Sequence, residues 1–538
     1  MKKIILGLLL IAGISCTKKE AVDTIVINAN IYTVNDNFDK EEAFAIKDGK
    51  IVAVGTTAEI QAKYAATFIN DAKGKTIVPG FIDAHCHFFG LGLDKQKVDL
   101  TDTKSFEEVV QRIVDFQKEN NSDYITGRGW DQNDWEVKEF PTKDRLDELF
   151  PNTPIAITRI DGHALLANQA AIDLAGITVK TPFSGGEILQ KNGKLTGIFI
   201  DMPMELIEAK IPAPSKKATI EALKDAERNC FDLGLTTVDD AGLSRETIEL
   251  IDSLQQAGAL KMRIYAMVSA SDENIDYYAK KDILKTDRLN VRSFKIYADG
   301  ALGSRGAAMK KSYSDQHNHF GALVTPLEKL KEYAEKIAAT NFQMNTHAIG
   351  DSANYVMLKT YKEVLKGKKD RRWRIEHAQI VDTADFNYFE NILPSVQPTH
   401  ATSDMYWAKD RVGAERMKGA YAYKVLLNTY GKIALGTDFP VEKVSPLLTF
   451  YAAVARKDLN NFPENGFQME NALTREETLK GMTIWAAYSN FEENEKGSIE
   501  VGKMADFIVL NKNIMEIEAE KISTINVDET YVGGVKVK

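Results

Sequence analysis

Cysteine is nearly absent: Cys16, Cys86 and Cys230 are the only three in 538 residues. So few cannot build a disulfide framework, although a single bridge between Cys86 and Cys230 stays open. Clustered positive charge is missing too. The 68 Lys and Arg are interspersed among 77 Asp and Glu for a net charge of -9, which argues against the basic footprint of a nucleic-acid binder. There is no low-complexity tract, and 44% hydrophobic with 27% charged residues is the composition of a globular protein. After the first residues no apolar run is long enough to span a bilayer. Histidine is also scarce, with eight in the chain, so the places it occupies are informative.

The chain opens with Lys2 and Lys3, an apolar run from Ile4 to Ile14, and then Ser15-Cys16 before a polar stretch. That order is the pattern of a secretory signal, and Cys16 at the cleavage point is similar to a bacterial lipoprotein signal. Residues 1–16 are therefore expected to be a signal peptide with a lipobox. The mature protein is expected to be exported and lipid-anchored through Cys16 to the bacterial cell envelope, at the periplasm or outer membrane, with no other membrane contact. Gly13 departs from the pattern, since leucine is commoner three places before the cysteine. The alternative is plain secretion with Cys16 inert.

The remaining length suits about two to four domains, or one large α/β barrel carrying additions. Residues 23–79 read as short alternating strands ("DTIVINANIYTVN", "EAFAIKDGKIVAVG") with "KDGK" as a hairpin turn. Residues 495–538 have the same texture, so one composite β-sandwich from both ends is expected. Between them, residues 80–494 alternate apolar strands with amphipathic helices. The strands "GFIDAH", "GLTTVDDAG", "KMRIYAMV", "VRSFKIYADG", "FQMNTHAIGD", "RWRIEHAQ", "LPSVQPTH" and "IALGTDFP" make eight, the number in a (β/α)8 TIM barrel. Residues 99–214 are too long for one crossover and are expected to form an inserted α/β subdomain.

Unusual polar residues fall at the ends of these strands. His85, His87, Lys295, His347, His377 and Asp438 each lie at or near the C-terminal end of a strand, the end where barrel active sites are built. His85 and His87, two apart, point to one side and can reach one ion, whereas Cys86 points the other way and behaves as a small buried hydrophobe. Imidazole and carboxylate suit Zn, Fe, Ni or Mn, with zinc foremost. Lys295 has two readings. If desolvation makes its amine neutral it can add CO2, giving a carboxylate-like carbamate able to bridge two metals; otherwise it binds an anionic substrate or pairs with Asp299.

The ordered set "VPGFIDAHCHFFG", "GRGWDQNDW", "RIDGHALLANQAAI", "FKIYADGALGSRGAA", "NTHAIGD", "RIEHAQ", "PSVQPTHATSD", "LGTDFPVEKVSPL" and "GSIEVGKMADFIVL" resembles the amidohydrolase superfamily, in its N-substituted formamide deformylase-like branch. The resemblance implies a metal-dependent barrel with one or two divalent ions. It implies that His85, His87, His347, His377 and Asp438 are ligands, and it favours the carbamate on Lys295. Asp438 would also shuttle the proton as metal-activated hydroxide cleaves a C–N bond of a small amide-type substrate, an N-substituted formamide or N-acyl compound. A homodimer is the expected assembly. His163, Arg305, Trp130 and His400 are substrate-pocket candidates, with Asp131 beside Trp130, although all but Arg305 also read as structural and Arg305 could bind a substrate carboxylate or simply a loop carbonyl. His317 and His319 read as solvated loop residues. Ester or cyclic-ureide hydrolysis, or a non-catalytic surface-binding lipoprotein, are the alternatives, because a fold does not select its substrate.

Overall fold

The computed structural model describes residues 19–538 apart from Asp161, His163 and residues 184–185. Eight parallel strands run in the order of the chain: β1 (Phe81–Cys86), β2 (Leu235–Leu243), β3 (Arg263–Ser269), β4 (Leu289–Tyr297), β5 (Gln343–Ala348), β6 (Arg374–His377), β7 (Leu393–Val396) and β8 (Ala434–Leu435). Nearly every strand residue is buried, as expected for strands covered on both faces. The strand ends next to β8 and β1 are tied directly. Asp438 N–H donates to the His85 carbonyl at 2.8 Å, and His87 N–H to that of Phe439 at 2.8 Å. Gly436 permits this approach, because a Cβ there would lie 2.6 Å from the His85 nitrogen.

Two further sheets complete this unit. One pairs Lys50–Gly55, Ala43–Lys47, Glu20–Ile27 and Tyr64–Asp71 in that order. Its first hairpin turns at Asp48 and Gly49, with φ 51° and 75°, the two positive values that a type I′ turn requires. The other joins the C-terminal strands Val535–Lys536, Val527–Val532 and Phe507–Leu510 to the N-terminal Thr76–Pro79, Asn30–Tyr32 and Lys40–Glu41. Val26, Phe44 and Ile46 of the first pack with Ile31, Ile77, Phe507 and Val509 of the second in one buried cluster, which makes the sandwich a product of both ends. A buried fork from Arg263 of β3 to Asp506, at 2.6 and 3.0 Å, links it to the barrel.

A second compact unit spans Phe88–Glu227, in the connection between β1 and β2. It starts 11 residues before and ends 13 residues after the expected 99–214, taking in the helix Phe88–Asp94 and most of Lys216–Asp232. Gly92 of Phe88–Asp94 sits so near the Ala222 carbonyl of Lys216–Asp232 that a Cβ would lie 2.0 Å away. Its mixed sheet runs Gly186–Lys191, Lys194–Asp201, Ala164–Ala167, Ile155–Arg159, Ile125–Trp130, Val98–Asp99.

Candidate metal centre

The C-terminal ends of the barrel strands bring His85, His87, Lys295, His347, His377 and Asp438 together, and the helix Pro398–Asp404 that follows β7 adds His400. Asp438 is the hub. Its Oδ1 lies 3.2 Å from His87 Nε2 and 3.5 Å from His85 Nε2, and its Oδ2 lies 3.2 Å from His400 Nε2. The ring of His377 is 4.8 Å from that of His85 and 4.5 Å from that of His347. Lys295 Nζ is 3.2 Å from His85 Nε2. Two triads, His85–His87–Asp438 and His377–His400–Asp438, each bring one ligand-type atom per residue within 4.8 Å of the others.

Three observations indicate that this donor set fits a divalent cation. His347 Nε2, His377 Nδ1 and Asp438 Oδ1 are buried yet form no hydrogen bond within the protein, and buried polar atoms seldom go unmatched without an ion or water to satisfy them. The imidazoles of His85, His347 and His377 are kept neutral, as ligands must be, whereas burial would lower His400 but its hydrogen bonds to Asp438 and Glu442 push it well above the ordinary histidine value. Burial, followed by the nearby Lys295, presses His85 well below the ordinary histidine value and lowers His347 to about 3; burial and the adjacent imidazoles do the same to His377. Asp438 is kept ionised. Burial alone would raise its pKa, but its hydrogen bonds with His400 and His87 hold it well below the usual carboxylate range. Lys295 is lowered by burial, against the pull of Glu376, Asp438 and Asp240.

A layer of carboxylates beneath this set carries no obvious mark in the sequence. Glu376 Oε2 takes His85 Nδ1 at 2.7 Å with both side chains fully buried, and so turns His85 Nε2 toward the cluster. Strand alternation would put Glu376 and His377 on opposite faces. The pleat ends at His377, whose φ is 74°, and both side chains reach His85. Asp299 accepts N–H groups of Ala308, Ile349 and Gly350 at 2.8, 3.0 and 2.8 Å and lies 3.7 Å from His347 Nε2. These bonds occupy it, and among the described residues it forms no ion pair with Lys295. Glu442 holds His400 Nδ1 at 3.1 Å. Asp83 joins β1 to β8 through Thr437, accepting N–H at 3.0 Å and Oγ1–H at 2.7 Å.

Other candidates fall elsewhere. Trp130, expected to line the cleft, is wholly buried in the core of the inserted unit with Trp135 and Ile157, and its indole N–H donates to the Ile157 carbonyl at 3.0 Å. Sheet packing wins over cleft lining there. Arg305 gives its fork to Asp315 at 3.1 and 2.9 Å and is not among the side chains that line the cleft. His319 bonds the Arg305 carbonyl at 2.9 Å. Cys86 faces away from the cluster toward the Asp239 carbonyl at 3.5 Å, and Cys86 and Cys230 are both free and buried. His163 and Cys16 lie outside the described residues.

The sequence model described as the amidohydrolase family matches residues 69–537. This chain belongs to the amidohydrolase family. A second model, an imidazolonepropionase-like composite domain of bacteria, matches residues 43–66 in the sandwich. The N-substituted formamide deformylase of Arthrobacter pascens is 26% identical over 95% of this amidohydrolase and 98% of its own length. Protein LONG AFTER FAR-RED 3 of Arabidopsis thaliana is 31% identical, with coverage of 95% and 91%. Among solved structures, an uncharacterized metal-dependent hydrolase from Pyrococcus horikoshii superposes with a TM-score of 0.79 at 28% identity, over 92% of this chain and 99% of its own. The clustered histidines and aspartate are thus candidate metal-binding groups in a metal-dependent hydrolase family.

Proposed function

We propose that this amidohydrolase cleaves a C–N bond of an amide-type substrate, an N-substituted formamide or N-acylamine, at the Asp438 cluster. The observation that carries the reading is that His347, His377 and Asp438, each with an unmatched buried atom, line one open cleft together. His85, His87, His347, His377 and Asp438 would hold one or two divalent ions, zinc foremost, and Lys295 would join them as a carbamate formed from CO2. Such an ion supplies Lewis acidity, lowering the pKa of water to about 7 and polarising a carbonyl. Asp438, ionised and with Oδ1 beside His85 and His87, takes the proton of the attacking water and returns it to the leaving nitrogen, which departs poorly unless protonated. His400, gripped between Asp438 and Glu442, fixes the orientation of that carboxylate.

The test is a panel of N-substituted formamides, N-acylamines, matched esters and cyclic ureides, assayed on protein whose metal content is measured. Faster turnover of the amides is expected. Cleavage of esters or ureides alone would replace this reading, and a metal-loaded protein inert to all four classes would point to binding without catalysis. The proposal extends to location. Lys2, Lys3, the apolar run and Ser15-Cys16 support export with a lipid on Cys16, and loss of fatty-acid labelling and membrane association in Cys16→Ser is the expected result.

A further inference from the structure

Above the cluster opens a cleft of ≈ 380 Å³. Leu302, Ile349, Trp407 and Val441 form its apolar side, and its charged side chains beyond the cluster are Asp404 and Glu442. Among the described residues that line it there is no arginine, and its one lysine, Lys295, is buried against His85. His400 is already shared by two carboxylates. The nearby cations are committed elsewhere: Arg305 and Arg411 both bind Asp315, and Lys443 lines a neighbouring groove.

From this distribution we infer that the group filling the cleft, in the amide hydrolysis proposed above, is an uncharged apolar substituent, and that a substrate with a carboxylate or phosphate at that place is rejected. Away from the metal cluster, an anionic substituent gives up hydration and meets no arginine and no lysine but the buried Lys295 among the described lining residues. It also approaches two carboxylates of its own sign. Asp404 cannot swing aside cheaply, since its Oδ2 accepts from Gln379 Nε2 at 2.8 Å and Tyr421 OH at 2.9 Å. Trp407 is likewise set as a wall: its ring lies against Gly303, where a Cβ would stand 3.4 Å from it. The inference rests on the hydrolase reading but adds a rule for the substrate that the metal cluster alone does not impose.

Matched compounds separate the two. The metal-loaded enzyme is assayed with N-formyl and N-acetyl derivatives of benzylamine, phenylalaninamide and phenylalanine, which share an aromatic group and differ in charge. The carboxylate compounds should show a kcat/KM lower on the order of 10²-fold, as an uncompensated charge in a partly desolvated site requires. Val441→Arg, at a side chain 70% exposed, should raise turnover of the carboxylate compounds relative to the neutral ones about tenfold, by supplying the missing cation. Equal or faster cleavage of the wild-type carboxylate substrates overturns the inference while leaving the hydrolase reading intact. So does a ratio that Val441→Arg leaves unchanged, because the exclusion would then not be electrostatic. No turnover of any compound by metal-loaded protein sinks the hydrolase reading and this one with it.

Discussion

Replacing Glu376 with glutamine tests whether the layer beneath the cluster sets the affinity of the site. Glu376 Oε2 meets His85 Nδ1 at 2.7 Å in complete burial, so it fixes the tautomer and makes Nε2 the more basic nitrogen. Removing such a partner typically costs about 10- to 100-fold in metal affinity, which is about 1.4–2.8 kcal/mol at 1.4 kcal/mol per tenfold. The fold should not pay a matching cost. Burial raises the Glu376 pKa, against Arg374 and Lys295. A carboxyl raised in the folded state destabilises that state once it ionises, and a neutral amide removes the penalty. Arg374 stands 3.9 Å from Glu376 but keeps Asp239 at 2.9 Å, so no buried cation is orphaned. Metal affinity measured by competition with a chromophoric chelator should therefore drop while the Tm of the metal-free protein holds or rises. Affinity unchanged within about twofold, or a loss of affinity that merely follows unfolding, would refute the reasoning.

Asp438→Asn should keep the barrel folded and lower kcat on the order of 10²- to 10⁴-fold, the usual worth of a positioned acid–base group; full rate with metal retained would remove Asp438 from proton transfer. His347, lowered by burial to about 3, contributes stability that is present above the ordinary histidine value near 6.5 and fades as pH falls toward 3, because the unfolded chain takes up the proton first. The Tm difference between metal-free wild type and His347→Gln should accordingly shift against the wild type across that window, and a pH-independent difference would contradict the buried neutral imidazole. Chelation should lower Tm yet leave the far-UV circular dichroism unchanged, since a ligand of the native state stabilises by mass action; collapse of the spectrum would mean that the ion organises the barrel.

The strands of the barrel were legible because each carries a dense apolar run between helical patterns, and the candidate ligands because rare histidines stood at their ends. Long-range partners were not legible. Glu376 lies 291 residues from His85, and Glu442 lies 42 from His400; no local periodicity encodes either meeting. Trp130 kept two readings because an aromatic at a strand end serves a cleft or a core equally well, and the neighbours that decide for the core, Trp135 and Ile157, come from other elements. For Arg305 the partner lies nearer in the chain, an aspartate ten residues downstream at Asp315 that takes its fork.

Backbone strain adds a physical reason to regard the strand ends as the working part of the molecule. His377 and Asp438 have φ of 74° and 65°, and residues held in such regions cost about 1–3 kcal/mol each. Neither would stay there unless the surroundings imposed it. At Asp438 the imposition is visible in the bond to the His85 carbonyl at 2.8 Å and in the grip of Asp83 on Thr437. Past His377, the Ile380 N–H binds the Ile349 carbonyl at 2.9 Å, and Asn354 Nδ2 binds the carbonyls of Ile380 and Ala348, both at 3.1 Å. The two most strained candidate ligands are therefore tied by bonds from strands and a helix. Donors tied to the backbone in this way carry part of their ordering cost in the fold, which would lower the cost of binding the cation proposed above.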